Sequence, residues 1–260
     1  MLNVEKSGGI ARVTLDRPDV RNAFDDALIA SLRKSFAEME KDQSVRVVVL
    51  AGNGPAFCAG ADLNWMKRMA GYGQDENLAD ARSLAEMLAA LDRLPQPTIA
   101  RVHGPAFAGG TGLVAACDIA VGTPEAKFCF SEAKLGLSPA TISPYVMRAV
   151  GERAAHRYFL TAEVFGAEEA LRIGMLSLLV PAADLDLRID DLLKNLLAGG
   201  PQAHARIKEL IRAVARRPLD DALIADTARR IAEIRVSPEG KEGIASFLEK
   251  RKAAWCSPKS

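Results

Sequence analysis

Histidine and paired cysteine are scarce in this 260-residue chain, with three histidines (His103, His156, His204) scattered along it and four cysteines lacking any CxxC pair. A Cys/His metal site is therefore not expected. Cys58, Cys117, Cys129 and Cys256 show no regular spacing, and three of them stand in apolar surroundings, where a free thiol serves as a small core residue. No charge sign dominates, because 34 Lys and Arg oppose 33 Asp and Glu. That balance argues against a nucleic-acid partner, although a local cationic patch for a phosphorylated ligand is still compatible with it. No apolar run approaches the roughly 18 residues of a membrane span, and "MLNVEKSGGIARVTL" has neither signal-peptide nor transit-peptide character. A reduced cytoplasmic setting without membrane contact is the expectation. Repeats, low-complexity linkers and a GxxxxGK[ST] phosphate loop are also missing.

What the chain does have is a 49% apolar composition, enough for a sizeable core. "ARVTL" (11–15) and "VRVVVLAG" (45–52) read as strands around an amphipathic helix over 24–42, whose Leu28, Leu32, Phe36 and Met39 recur at helical spacing. A helix from Glu76 to Arg93 precedes the strand "TIARVHG" (98–104), and "DIAVG" and "KFCF" follow as shorter strands. This rhythm predicts α/β architecture built from βαβ units on a mostly parallel, buried sheet. Beyond about residue 140 "SLLV" (177–180) is the one good strand candidate, and helices are expected over 181–198, 202–215, 218–235 and 238–253. The helical C-terminal third is expected to pack on a neighbour rather than on its own core.

Two glycine-bearing turns draw attention. "TIARVHG" runs into "PAFAGGTGLVAAC", a strand, a turn with Gly109, Gly110 and Gly112, and a helix. "VRVVVLAG" runs through "NGPAF" into "CAGADLNWMKRM" in the same manner. The spacing is not the dinucleotide G-x-G-x-x-G. On the residues alone, the glycines serve either tight helix–sheet packing or unpaired N–H groups facing a developing negative charge. Two such turns can bring two amides onto one carbonyl oxygen, an oxyanion hole.

Taken in order, "LDRPDVRNAF", "AFCAGADL", "VHGPAFAGGTGLVAACDIAV", "KFCFSEAKLGLSP" and "SPEGKEGIASFLEKRKAAW" resemble the enoyl-CoA hydratase/isomerase (crotonase) superfamily over nearly the whole chain. The resemblance implies a crotonase-like spiral of βαβ units over 1–195 and a helical C-terminal trimerisation region over 196–260, assembled as a homotrimer or a homohexamer of two trimers. It implies an acyl-CoA thioester substrate, no separate cofactor and no metal. It places the oxyanion amides at Ala61 and Gly109, and the acid/base at Glu132. Without it, Glu132 reads as an ordinary surface or salt-bridged acid, although "KFCFS" and "AKLGL" on either side predict a half-buried carboxyl with a raised pKa.

The resemblance also marks a departure. Two-glutamate hydratases carry their first acid where this chain has Gly112, so Glu132 stands alone. The full pattern looks most like the bacterial methylglutaconyl-CoA and isohexenylglutaconyl-CoA hydratases, which hydrate branched 2-enoyl thioesters bearing a second carboxylate. Gly112 would then leave room for the branched chain, and Lys67, Arg68 or Arg82 would meet the carboxylate, although each also reads as an ordinary solvated charge. For coenzyme A the resemblance implies Arg21 at the phosphates, Ala59 and Leu63 at the adenine, and Phe247 and Lys250 from a neighbouring subunit. Their i, i+3 spacing predicts one shared helix face. Asp118 is expected to brace strand ends, and His103 to be a buried, hydrogen-bonded histidine. A hydratase leads, a Δ3-Δ2-enoyl-CoA isomerase needs only one glutamate, and a weakly catalytic CoA-ester-binding scaffold is the reading from another class.

Overall fold

The computed structural model describes residues 1–256. Strand β1 (Leu2–Ser7) turns back antiparallel on β2 (Ile10–Leu15), in which Ala11, Val13 and Leu15 alternate inward. Helix α1 (Asp26–Lys41) follows, capped by Asp25, whose carboxylate accepts the Leu28 N–H at 2.8 Å. Strand β3 (Val47–Gly52) buries Val47 to Leu50 on both faces, as a strand central to a parallel sheet must. Helices α2 (Leu63–Met69) and α3 (Gln74–Arg93) lead to β4 (Thr98–Val102), β5 (Ala106–Phe107) and the short helix α4 (Gly109–Ala116).

Strands β6 (Ile119–Gly122) and β7 (Lys127–Cys129) precede a 3-10 turn at Ser131–Leu135, and α5 (Ser143–Thr161) follows. After β8 (Phe165–Gly166), α6 (Ala167–Ile173) and β9 (Leu178–Leu179) the chain is helical: α7 (Leu185–Ala198), α8 (Pro201–Val214), α9 (Asp221–Val236) and α10 (Pro238–Leu248). The main sheet has the order β1-β2-β3-β4-β6-β9 and is parallel apart from β1; β5, β7 and β8 form a second sheet. One face of the main sheet packs on α1, α3 and α4, the other on Leu185, Ile189 and Leu193 of α7.

The predicted α/β alternation and the helical C-terminal region are both present. Helix α10 is shorter than expected, ending at Leu248 rather than 253. Within α8, α9 and α10 only Lys208, Leu223 and Ser246 are buried, while Ile211, Ile224, Ile231, Val236, Phe247 and Leu248 are exposed. Among the described residues no helix is long and apolar enough to cross a membrane.

Candidate active site

The two glycine-bearing turns lie side by side. Phe57 N–H donates to Pro105 O at 3.0 Å, Phe107 N–H donates to Cys58 O at 2.9 Å, and Cys58 pairs with Ala106 as an isolated parallel bridge. The approach leaves no room for side chains. A Cβ on Gly110 would stand 2.4 Å from Cys58 O, and one on Gly60, at φ +91°, 3.0 Å from Phe107 O. Buried Asn22 staples the first turn from below: its amide group donates to Asn53 O and Ala56 O at 2.8 and 2.9 Å and its oxygen accepts Arg17 N–H at 2.8 Å.

Ala61 and Gly109 stand where these turns become helices. Neither amide donates to any acceptor in the hydrogen bonds among the described residues, although their neighbours are engaged: Asp62 N–H to Phe24 O at 2.7 Å, Thr111 N–H to Ala108 O at 2.9 Å. Asp62 caps α2 by accepting from Asn64 N–H at 2.8 Å, and its other oxygen accepts from Arg17 at 3.1 Å. Arg17 also pairs with Asp25 at 2.9 Å, which ties the start of α1 to the start of α2. Ala108 takes φ 45°, ψ −117°, outside the comfortable range of an L-residue. It is gripped on both sides, its N–H donating to Cys129 O at 2.8 Å and its carbonyl accepting the N–H and hydroxyl of Thr111. Sequence reasoning missed the Asp62–Arg17–Asp25 brace; the Asp before a helical run at "GADLNW" was the available signal.

Glu132 sits in the 3-10 turn after β7, in the second sheet that also contains β5, the strand leading to Gly109. Its Oε2 is buried and has no hydrogen-bond partner among the described residues. Burial raises its pKa above the ordinary glutamate value, against a smaller lowering by its own backbone N–H. A buried carboxylate oxygen without a protein partner costs stability unless a water or a bound substrate supplies the hydrogen bond. Asp118 braces strand ends as expected, accepting from Thr98 N–H and its hydroxyl at 2.8 and 2.9 Å. His103 is hydrogen-bonded as expected, through Nε2 to Gly54 O at 2.9 Å, but is only half-buried, and its Nδ1 is buried with no partner among the described residues. Cys58 and Cys129 are buried, and burial pushes the Cys58 thiol up to about 12, so neither is a nucleophile. Among the described residues no cluster of three His, Cys, Asp or Glu could hold a metal.

The expected room at Gly112 is absent. A Cβ there would lie 2.4 Å from Ile142 Cγ2, because Ile142, 1% exposed, packs into the place a side chain would take. Arg68 is also not free, being paired with Asp26 at 2.7 Å; Lys67 and Arg82 are exposed and have no ion pair among the described residues. Arg21 and Ala59 do come together, with Ala59 N–H donating to Arg21 O at 3.0 Å, and Leu63 opens the adjacent helix with 74% of its surface exposed. The Ala59 carbonyl accepts none of the hydrogen bonds among the described residues. No hydrogen bond or ion pair among the described residues joins Phe247 or Lys250 to that group. The shared helix face is also corrected: Lys250 lies beyond the end of α10 with φ 53°.

Residues 5–258 match the family model described as Enoyl-CoA hydratase/isomerase. A putative enoyl-CoA hydratase of Thermus thermophilus is 37% identical over 252 residues, 96% of this chain and 98% of that protein. A solved enoyl-CoA hydratase structure from Shewanella pealeana superposes with a TM-score of 0.95 at 43% identity, covering 98% of this chain and 95% of that one. A putative enoyl-CoA hydratase/isomerase (crotonase) from Legionella pneumophila gives a TM-score of 0.93 at 43% identity, covering 98% of both chains. With its paired turns, its helical C-terminal region and these likenesses along its length, the chain belongs to the enoyl-CoA hydratase/isomerase (crotonase) superfamily.

Proposed function

We propose that the protein hydrates the 2,3 double bond of a 2-enoyl-CoA thioester, with Glu132 as its one acid/base. The free Ala61 and Gly109 N–H groups receive the thioester carbonyl oxygen. As that oxygen gains charge, each donor lowers the barrier by about 3–4 kcal/mol. Glu132, ionised, takes a proton from water as the water oxygen bonds to C3; the resulting enolate then takes a proton at C2 from Glu132. Water is consumed and the carboxylate is regenerated. The observation that carries this reading is the buried, unpartnered Glu132 Oε2, a raised-pKa base with a lone pair unspent. Coenzyme A enters as part of the substrate, so no separate cofactor takes part.

The finer substrate class in this reading is a branched enoyl chain with its own carboxylate, such as 3-methylglutaconyl-CoA. Its support is that Glu132 is the one carboxylate of the site with a buried oxygen lacking a partner among the described residues, Asp62 being paired with Arg17, and that Lys67 on α2, the helix that Ala61 leads into, is exposed and without an ion pair among the described residues. Coenzyme A lies against Arg21, Ala59 and Leu63, completed by Phe247 and Lys250 of a neighbouring copy in a trimer or hexamer. The exposed apolar side chains of α9 and α10 support that assembly. A Δ3-Δ2-enoyl-CoA isomerase is the second reading, favoured by the same lone carboxylate, which can carry one proton between C4 and C2.

Spectrophotometric assays with 3-methylglutaconyl-CoA, crotonyl-CoA and 3-hexenoyl-CoA separate the two. Hydration of the first ahead of the others is expected; isomerisation of 3-hexenoyl-CoA without hydration of either 2-enoyl thioester overturns the hydratase reading. Glu132→Gln should lower kcat by 10²–10⁴-fold with thioester affinity nearly intact. Retention of more than about 1% of kcat, the most that loss of a general base leaves, moves the chemistry to another group.

A further inference from the structure

The segment bearing Glu132 is closed on itself. Leu137 N–H donates to Glu132 O at 3.0 Å, and the chain continues through buried Pro139 to Ile142, whose carbonyl accepts Val146 N–H at 3.1 Å in the first turn of α5. Glu132 thus opens a short loop that Ile142 ends. Ile142 packs against α4, with its Cγ2 over the bare backbone of Gly112 and Leu88 as the next neighbour of that position. Gly112 lies three residues after Gly109 on α4, nearly one helical turn from the free amide. Only hydrogen atoms on Gly112 permit the contact, since a Cβ there would approach Ile142 Cγ2 to 2.4 Å and its Cβ to 3.0 Å.

From this geometry we infer that Ile142 is a positioning residue: its methyl group, keyed against Gly112, sets where the Glu132 loop stands relative to the Gly109 amide. The inference rests on the acid/base reading of Glu132 given above. Gly112 is then neither a vacancy for substrate nor merely a lost acid. It is the half of a contact that has to be bare. A side chain at 112 displaces Ile142 and carries Glu132 with it, whereas trimming Ile142 loosens the loop and admits water to the carboxyl. Cys129, on the strand before the loop, has its thiol pushed up mainly by burial, with Lys134 lowering it and the charge of Glu132 adding a smaller rise.

Four variants test this in the full-length enzyme: Gly112→Ala, Ile142→Ala, Ile142→Val and the double Gly112→Ala/Ile142→Ala. Gly112→Ala should reduce kcat on the order of 10²-fold, as misplacement of a reacting group by about 1 Å does, while KM changes little. Ile142→Val keeps a methyl branch at Cβ and should stay near wild type. Ile142→Ala should shift the acid limb of kcat/KM to lower pH, because a wetter Glu132 loses the burial that raises its pKa. The double variant should turn over faster than Gly112→Ala alone, since losing Ile142 Cγ2 with the rest of its side chain beyond Cβ makes room for the methyl added. A Gly112→Ala enzyme with wild-type kcat, or a double variant with the product of the two single losses, overturns the inference. If Gly112→Ala does not fold, Ile142→Ala decides alone: an unmoved acid limb with unchanged kcat overturns it. Glu132→Gln is assayed in parallel, and its retained turnover would sink the acid/base reading itself, a result distinct from missing coupling between 112 and 142.

Discussion

The Lys208 ammonium donates to Asp118 Oδ2 at 2.6 Å, and that same oxygen accepts both the N–H and the hydroxyl of Thr98. One carboxylate therefore joins the start of β4, the chain just after α4, and α8 of the C-terminal helices. Lys208 is 7% exposed and has one further acceptor, Gln96 O at 3.1 Å. Asp118→Asn should destabilise the protein by roughly 2–4 kcal/mol, somewhat under a fully buried pair because the carboxylate is partly solvated. Lys208→Met, which removes the buried charge, should cost less. Urea midpoints of the two variants check the order; equal midpoints would mean that the ammonium is stabilised by something other than Asp118.

Ala108 should tolerate glycine in an instructive way. Its φ of 45° with ψ −117° stores roughly 1–3 kcal/mol of strain that glycine does not feel. The added chain entropy of glycine offsets about 0.5–1 kcal/mol of that gain. Ala108→Gly is therefore expected to raise stability by about 1 kcal/mol while lowering kcat, because the peptide that aims the Gly109 amide becomes freer. Thermal unfolding and steady-state kinetics on the same sample decide it; a variant both less stable and fully active removes the strain argument.

Asp62 gives a pH prediction with a definite sign. Burial pushes its pKa up, but the Asn64 and Trp65 amides and the Arg17 guanidinium together pull it further down, and the net shift is below the ordinary value. The unfolded chain therefore takes up this proton first, and the stabilisation is complete above about pH 4 and drains away as pH falls through the lower folded value. Asp62→Asn keeps an N-capping side chain but loses the charge. Its stability deficit against wild type should shrink below about pH 4, measured by urea unfolding across pH 3 to 7. A deficit that stays constant with pH assigns the whole effect to geometry.

Lys250→Ala should weaken CoA-thioester affinity by about tenfold, the size of one charge-assisted contact. On the proposed assembly, sedimentation should show a trimer or hexamer. A monomer that binds the thioester at full affinity contradicts both halves of this prediction.

Much of this was legible in the residues because it is local. Valine-rich β3, the periodic α1 and the glycine turns before α2 and α4 follow from patterns a few residues long, and the apolar flanks of Glu132 announced its burial. Strand β1 escaped notice because its solvent-facing "NVEKS" has no apolar alternation, and β5 and β8, two residues each, exist only through their partners. Helical composition continues to residue 253, past the left-handed turn at Lys250 that follows the end of α10 at Leu248.

By itself, the sequence determined that two strand-ending turns would be stripped of side chains, and that one carboxyl would lie half-buried in an apolar stretch. Only the tertiary structure decided what those features meet: Cys58 O against Gly110, and Ile142 against Gly112, thirty residues away. Whether a glycine is a gap or a fitted surface depends on which atoms the fold brings to it, and that contact is set by packing across the core rather than by any neighbour in the chain.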